Sequence, residues 1–431
     1  MKKIKNATAY QLFTTISMIG IILFFIYAII FGRIAFDWLA IENTGGWHFQ
    51  DYYRHLLFVA KPSELYIRAT GEWGYVPPLL YCFYYLLYRL TSLPGLLPQN
   101  YLELMYSDHS LTVFLYYLLF LVLGMAYGFS LWKVQKSGKR LLACLLLSVP
   151  FFAGGIERGN SIILVFVLLL ISLKWKESNS PIKREGALLL IAICAGIKMY
   201  PAILGLIYLK EKRYHESVRL LIYGILFFFI PFAFVGGAQG FSLWFSHITD
   251  TMVTYYSIGR IEYIKGLVAT FAHLFFGHEL LYLELVLPNL FLIFMIVLFI
   301  ISNNKYRSLF FLCAAMTFYP PNSVRYTLSL LALPLILFLM ERGDDLINDR
   351  FIRAELICFS QVFSIPTLFG FLTSFDGCMG LHKQLTFVEF WIYLFAYILL
   401  IIITVHEIHC IRIYKEINPS LSTEIFREAN I

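Results

Sequence analysis

The sequence predicts an all-α, polytopic membrane protein. Its 431 residues are 59% hydrophobic and 18% aromatic, and only 14% are charged. The mean hydropathy is +0.73, whereas a soluble domain has about 25% charged residues. Apolar runs of roughly 20 residues, each long enough for one crossing of a bilayer, recur along the chain. They are 12–31, 111–132, 281–301 and 387–405, with a slightly shorter run at 220–235.

The positions of Lys and Arg orient these predicted helices. The formal net charge is +7, but the cations lie in short clusters beside apolar ends, which is typical of cytoplasmic loops and not of a nucleic-acid interface. These clusters are at 2–5, 133–140, 174–184, 210–219, 305–307 and 341–353. Placing all of them inside predicts about twelve transmembrane helices in a single integral membrane domain, residues 1–431.

This topology contains two large extracytoplasmic loops, 33–110 and 236–280. It requires that the apolar segment 77–97 does not cross the membrane but lies on its outer surface or re-enters it, which its Arg89 and Pro94-Gly95 favour. It also requires a broken pair of short helices around 198–201. If 187–209 were instead one helix, the second loop would be cytoplasmic.

Three polar interruptions share the outer face in this topology. The first loop carries Asp37, the run Asp51-Tyr52-Tyr53-Arg54 and Tyr75. The second interruption is Glu157-Arg158-Gly159-Asn160, and the third is Lys198-Met199-Tyr200-Pro201. In so apolar a chain, charged groups at one membrane surface indicate a functional site.

Asp51 is the first candidate for chemistry. A carboxylate at the membrane surface can take a proton from a hydroxyl, which is general-base catalysis. Asp51 lies in the aromatic run 47–53, which could stack on a sugar ring. The alternative is a solvated loop acid, which is also the simplest interpretation of Asp37.

Arg158 and Lys198 are candidate anion ligands. Each lies next to apolar residues, where an unpaired cation is costly. The phosphate of a lipid is one possible partner, because Arg offers a planar fork and Lys a point charge. An internal salt bridge, with Glu157 or an acid of the outer loops, and snorkelling to head groups are equally compatible with the sequence.

The sequence predicts no metal, nucleotide or other cofactor. It has no Walker-type or G-x-G-x-x-G motif, and 406–410 lacks the HExxH spacing. An enzyme on the outer face would therefore need a lipid-linked donor. Arg325, in the predicted outer turn 319–326, is more typical of an interfacial anchor than of a ligand.

The order of these motifs resembles glycosyltransferase family 87. These are bacterial enzymes of the GT-C fold, related to polyprenyl-phosphate-mannose-dependent mannosyltransferases. The resemblance covers about residues 37–231. It is carried by Asp-Tyr-Tyr at 51–53, Tyr66, Tyr-Val-Pro-Pro-Leu at 75–79, Glu-Arg-Gly-Asn at 157–160 and Lys-Met-Tyr-Pro at 198–201.

The resemblance implies an inverting glycosyltransferase of the bacterial cytoplasmic membrane with an extracytoplasmic active site. Its donor would be a polyprenyl-phosphate sugar, for which mannose is a candidate, and its acceptor a lipid-linked or cell-envelope glycan. Asp51, or in its place Asp37, would be the base. Arg158 and Lys198 would hold the leaving phosphate, with Asn160 and Tyr200 orienting them or the sugar. Further candidates for substrate contact are Tyr52, Tyr75, Glu157 and Arg325.

Two other functions are compatible with a polytopic chain of this kind. A polysaccharide polymerase or ligase would be expected to carry key Arg residues in both outer loops, whereas the first loop here is rich in acids and aromatics. A flippase or transporter of lipid-linked sugars would need polar residues at mid-membrane depth, whereas the charges here collect at helix ends.

Overall fold

The computed structural model describes residues 7–31, 49–69, 74–90, 110–132, 155–156, 158–254, 260–278, 280–320, 325–343, 349–363 and 387–417. Asp37, Glu157 and the side chain of Arg325 lie outside the described residues. The chain forms two compact units. Unit 1 is Met1–Ile30, Gly259–Tyr319 and Leu331–Ile431, and unit 2 is Phe31–Ile258 and Pro320–Leu330.

The helices of unit 2 come from the middle of the chain. They are α2 Gln50–Val59, α3 Leu65–Arg68, α4 Pro78–Arg89, α5 Ser110–Leu131, α6 Ile162–Lys176, α7 Pro181–Ile197, α8 Leu206–Lys210, α9 Tyr214–Phe229 and α10 Gly237–Thr254. Among the described residues, three 3-10 segments accompany them, Pro62–Glu64, Tyr200–Gly205 and Ile230–Ala233. A fourth, Arg325–Leu331, returns to this unit late in the chain.

The described helices of unit 1 come from the N-terminal segment and from the second half of the chain. They are α1 Ala9–Phe31, α11 Ile264–Phe276, α12 Leu281–Ile301, α13 Lys305–Phe318, α14 Ala332–Arg342, α15 Arg350–Phe363 and α16 Phe387–Ile417. The predicted apolar runs correspond to α1, α5, α9, α12 and α16, although the run 220–235 continues past α9 into the 3-10 segment Ile230–Ala233.

The structure supports a membrane-bound protein. Among the described residues, three stretches are long and apolar enough to cross a bilayer, Tyr214–Ala233, Leu281–Ile301 and Trp391–Tyr414. In Tyr214–Ala233, only 17% of the most apolar 18-residue stretch is buried within the protein. The exposed apolar side chains of this helix need an apolar surrounding. Several shorter apolar helices accompany these three. The total of about twelve spans stays a prediction.

Both predicted outer loops contain helices. The first, 33–110, includes α2, α3 and α4, and the second, 236–280, includes α10 and α11. Helix α4 has 12 residues, so it is about 18 Å long and too short for a hydrocarbon core of about 30 Å. The side of the membrane on which these helices lie stays a prediction.

The chain reverses direction at Lys198, as the predicted broken pair requires. Helix α7 ends at Ile197, and Lys198 adopts an extended conformation (φ −139°, ψ 123°) before the 3-10 segment begins. Helix α8 then returns the chain to the turn between α6 and α7. Glu211, directly after α8, accepts from Lys176 at the end of α6, with Nζ and Oε1 2.5 Å apart. The structure thus excludes one continuous helix over 187–209.

The reversal separates two ends of the α6–α9 bundle. Asn160 and Lys198 lie at one end, because they precede α6 and follow α7. The other end carries the basic clusters 174–184 and 210–219, tied together by ion pairs. These join Lys176 to Glu211 at 2.5 Å, Arg184 to Glu216 at 3.7 Å and Arg219 to Glu185 at 2.5 Å.

Unit 1 contains a buried group of charged and polar side chains that we call the Arg307 cluster: Tyr306, Arg307, Glu355, His406 and Glu407. Arg307 forms an ion pair with Glu407, and Glu355 Oε1 lies 2.6 Å from Nδ1 of His406. The Tyr306 hydroxyl donates to Glu355. The cluster fastens α13, α15 and α16 to one another.

Candidate functional site

Asp51 is held at the start of helix α2 by the backbone of a distant segment. The amide N–H of Asp51 donates to the carbonyl of Arg158 at 3.0 Å, and that of Tyr52 reaches the same oxygen at 3.4 Å. The first N–H groups of a helix have no partner within it, so the Arg158 carbonyl satisfies two of them. The carboxylate also suits the positive end of the helix dipole.

The side chains of the same segment bind the Asp51 carboxylate directly. Arg158 donates to Oδ1 from Nε at 3.2 Å and from Nη2 at 2.9 Å. Asn160 Nδ2 donates to Oδ2 at 2.5 Å. Asp51 is 3% exposed. The structure therefore brings together three predicted site residues from two distant motifs.

The position between Arg158 and Asn160 requires a glycine, Gly159. Its φ is +65°, and a Cβ placed on it would lie 2.5 Å from Cβ of Tyr52. Its carbonyl accepts a hydrogen bond from the Tyr84 hydroxyl at 3.2 Å. Only a residue without a side chain permits this backbone conformation and this close approach.

Asn160 also shapes the helix that follows it. Its Oδ1 accepts from the backbone N–H of Ile162 at 2.9 Å, so one amide both caps α6 and orients Asp51. Its own N–H donates to the carbonyl of Gly155 at 2.8 Å. Such local side-chain bonds favour turns and helix starts, and they fix the amide for its contact with the carboxylate.

The electrostatics keep Asp51 ionised. Burial alone would raise the pKa of its carboxyl, but the charge of Arg158 and the hydrogen bonds from Arg158 and Asn160 outweigh burial and hold that pKa below its usual 3.8. One helical turn further, burial lowers the pKa of His55 to about 3. At neutral pH the site therefore contains an aspartate and a neutral histidine.

Lys198 is a second cation near Asp51, and it is held differently from Arg158. It is half-buried at the end of α7, and among the described residues the structure gives its ammonium no hydrogen bond or ion pair. Burial lowers the pKa of Lys198, while the charge of Asp51 raises it and that of Arg158 lowers it. We call Asp51, Arg158, Asn160 and Lys198 the Asp51 cluster.

The predicted aromatic residues occupy different environments. Tyr52 is 0% exposed, and its ring stacks on Tyr117 with centroids 5.4 Å apart, so it packs the core and offers no face to a sugar. Tyr75 and Tyr200 are half-buried, and the backbone carbonyl of Tyr75 accepts from the Trp244 indole at 2.9 Å. These two positions remain compatible with substrate contact.

Sequence reasoning gave no role to Tyr326, which lies close enough to Asp51 and Arg158 for their charges to act on the pKa of its hydroxyl. The only indication of Tyr326 in the sequence was its position directly after Arg325, the candidate residue of the turn 319–326. Sequence reasoning also missed Tyr84, whose partner is a backbone carbonyl. No spacing in the sequence indicates such a contact.

A match to a family model identifies the family of the chain. The model of glycosyltransferase family 87 matches residues 85–334, which is more than half of the 431 residues. The chain belongs to glycosyltransferase family 87. As a family 87 member it is a membrane glycosyltransferase, with a sugar donor and an acceptor as substrates. No curated protein and no solved structure matches it.

The family 87 match includes Arg158, Asn160 and Lys198 but begins after Asp51. It also continues beyond residue 231, where the resemblance noted in the sequence ended. The matched range therefore contains the Arg-Gly-Asn and Lys-x-Tyr-Pro segments. Asp51 is linked to them by the geometry of unit 2.

Proposed function

We propose that the chain transfers a sugar, with mannose as a candidate, from a polyprenyl-phosphate donor to a hydroxyl of a lipid-linked or cell-envelope glycan, inverting the anomeric carbon. The observation that carries this proposal is the ionised Asp51 carboxylate, held in place by Arg158 and Asn160 near Lys198. It combines a base for the acceptor with a cation for the departing phosphate.

Asp51 is proposed as the general base. An ionised carboxylate can accept about four hydrogen bonds. Arg158 uses two of these on Oδ1 and Asn160 one on Oδ2, so Oδ2 keeps a position for an acceptor hydroxyl. In the oxocarbenium-like transition state of glycosyl transfer, the proposed role of the carboxylate is to orient the acceptor hydroxyl and to accept its proton.

The proposed step conserves atoms and charge. The acceptor oxygen attacks the anomeric carbon and forms the new glycosidic bond. The bond from that carbon to the phosphate oxygen breaks, and its electron pair leaves with polyprenyl phosphate. The hydroxyl proton passes to Asp51. Lys198 stabilises the negative charge that develops on the phosphate, while Arg158, already paired with Asp51, orients the base.

The polarity of unit 2 supports an extracytoplasmic site. The basic clusters 174–184 and 210–219 lie at the opposite end of α6–α9 from Asn160 and Lys198. Cytoplasmic ends of membrane helices are enriched in Lys and Arg, so the Asp51 cluster would face outward. Polyprenyl-linked donors are suited to that face, where nucleotides are absent.

The test is sugar transfer from radiolabelled polyprenyl-phosphate sugars to membrane lipid or glycan acceptors, at matched expression. Asp51→Asn keeps the size of the side chain, and transfer is expected to fall about 10²–10⁴-fold. Glu64→Gln is the matched control, because Glu64 is an exposed carboxylate of the same predicted loop. Thermal melting of each purified variant separates lost catalysis from lost folding.

Asp37→Asn decides between the two candidate bases. Loss of transfer in Asp51→Asn alone supports Asp51, and loss in Asp37→Asn alone moves the role to Asp37. If the wild-type protein transfers nothing from any polyprenyl donor but alters polymer length or the distribution of lipid-linked glycans, the proposal gives way to a polymerase or a flippase.

A further inference from the structure

Helix α10, in the second predicted outer loop, binds the first predicted outer loop through two polar side chains. The indole N–H of Trp244 donates to the backbone carbonyl of Tyr75 at 2.9 Å. The Nε2–H of His247, three residues further along α10, donates to the backbone carbonyl of Tyr66 at 3.0 Å. Carbonyls in loops and at the ends of short helices lack a partner in regular secondary structure, so these two donors fix the backbone that they bind.

Two further contacts hold the same stretch of backbone. The Tyr66 hydroxyl donates to the carbonyl of Val76 at 2.9 Å, so the two sides of this loop are joined. A Cβ placed on Gly74 would lie 2.5 Å from the His247 ring, and only glycine permits so close an approach. The backbone around Tyr75 is therefore fixed against α10.

Trp244 is itself held by aromatic packing. It is 5% exposed, and its ring lies against those of Phe228, Phe232 and Phe241, with centroids 5.1, 5.8 and 5.9 Å away. These three rings come from α9, from the 3-10 segment after it and from α10. A side chain packed on several sides keeps one rotamer, so packing sets the position of the indole N–H.

Tyr75 connects Trp244 to the Asp51 cluster. Its side chain is half-buried. Burial, Asp51 and Tyr75 each raise the pKa of the Tyr326 hydroxyl, so Tyr75 and Asp51 both lie close to Tyr326. A tyrosine at such a place can pack its ring on a sugar and hydrogen-bond to it through the hydroxyl.

We propose that Trp244 is a positioning residue for glycosyl transfer. Its N–H holds the backbone of Tyr75 so that the phenol of Tyr75 contacts the sugar of the bound donor, and Trp244 does not touch the sugar itself. This rests on the proposed function, since it assigns a part in that reaction to the second predicted outer loop. Any large aromatic ring would satisfy the packing around Trp244, whereas the bond to Tyr75 needs an indole N–H.

Trp244→Phe removes the N–H and keeps an aromatic ring. The KM for the polyprenyl-phosphate sugar is expected to rise about five- to tenfold, the effect of about one hydrogen bond. The kcat is expected to stay within about twofold of the wild type, because the lost contact is one to bound donor. A purely structural role would instead lower the fraction of active protein, and with it the apparent kcat, at unchanged KM.

Trp132→Phe is the matched control. Trp132 is also buried in unit 2 and also donates its indole N–H to a backbone carbonyl, that of Leu170 at 3.2 Å. The two variants are expected to lose similar amounts of thermal stability, but only Trp244→Phe is expected to change the KM. An equal change of KM in both variants would overturn the proposal.

Tyr75→Ala shows whether Trp244 acts through Tyr75. With no phenol to position, adding Trp244→Phe to Tyr75→Ala is expected to leave the KM where Tyr75→Ala alone has put it, because the two residues act as a unit. If the effects of the two substitutions multiply, Trp244 acts by another route and the proposal is wrong.

Hydrogen–deuterium exchange of the full chain in detergent measures the positioning without activity. In Trp244→Phe the peptide that contains Tyr75 and Val76 is expected to exchange several-fold faster, because a bond that holds its backbone is lost. In Trp132→Phe the same peptide is expected to exchange as in the wild type. Unchanged exchange in Trp244→Phe would overturn the proposal.

The two proposals fail in different ways. If the wild type transfers from a polyprenyl donor and Trp244→Phe has the wild-type KM, the role of Trp244 is wrong and the proposed function stands. If the wild type uses no polyprenyl donor, the proposed function is wrong, and the role of Trp244 in that transfer is wrong with it.

Discussion

The two compact units each contain a buried charge cluster, and the clusters differ in how their charges are matched. In the Arg307 cluster, Arg307 and His406 are surrounded by acids. Arg307 pairs with Glu407, and His406 lies 2.6 Å from Glu355 and 3.4 Å from Asp349. The Asp51 cluster contains two cations but one carboxylate, and that carboxylate is bound by Arg158.

We interpret this difference as that between a structural cluster and a ligand-binding site. A buried ion pair whose partners are complete ties helices together and needs nothing else. A cluster with one cation in excess is complete only when an anion binds, and the desolvation cost of that cation is then offset by the ligand. The comparison predicts that removing a cation from unit 1 affects folding, whereas removing Lys198 affects function.

The largest expected effect is on the stability of unit 1. Arg307→Met leaves Glu407 buried without its cation, which should cost about 3–5 kcal/mol of folding free energy. Thermal unfolding in detergent measures this, with Lys183→Met, at an exposed position, as the control. An Arg307→Met protein as stable as the Lys183→Met control would contradict a structural role for the Arg307 cluster.

Lys198→Met should show the opposite behaviour. We expect transfer to fall about 10²–10³-fold, as when one donor to a developing negative charge is removed. The melting temperature should stay within the range of the control or rise, because Lys198 has no ion pair to lose among the described residues. A large loss of stability would mean that Lys198 has a structural anion.

Gly159→Ala tests the close approach at the Asp51 cluster. The strained φ and the contact with Tyr52 should together cost about 1–3 kcal/mol. Gly277→Ala is the control, because Gly277 has a φ of +74° but open space around a Cβ. The loss of stability in Gly159→Ala beyond that in Gly277→Ala measures the contact with Tyr52 alone. Equal losses in the two variants would show that this contact contributes nothing to the cost.

The smallest expected effect is on pH dependence. Since the pKa of Asp51 is lower in the folded protein than its usual 3.8, the ionised carboxylate contributes stability that is present above pH 3.8 and lost as the pH falls through the lower, folded value. Wild type and Asp51→Asn should therefore differ in stability by a constant amount above about pH 5 and converge in acid. A difference that changes between pH 5 and 8 would indicate a raised pKa.

Hydropathy was sufficient to predict the long helices but not the polar turns attached to them. The apolar run 281–301 coincides with α12. Helix α9, in contrast, begins at Tyr214, six residues before the predicted run at 220. Its first turns are polar and form ion pairs at the bundle end. Helix ends of this kind depend on tertiary partners, which hydropathy does not record.

The sequence indicated the members of the Asp51 cluster but not their pairing. Phosphate binding and an internal salt bridge were both open for Arg158, and the structure shows the salt bridge, with an acid 107 residues away. The Arg307 cluster was missed because its partners lie on three helices. The segment 406–410 was considered only as a metal motif, since no local spacing marks a contact with Arg307.

The bond between Asp51 and Arg158 also has a consequence for biogenesis. The two residues are 107 positions apart, and at about 5–20 residues per second the ribosome needs about 5–20 s to make the intervening chain. During that interval the first turn of α2 has neither the carbonyl nor the guanidinium that later secures it. The Asp51 cluster can therefore form only after the second motif has been synthesised.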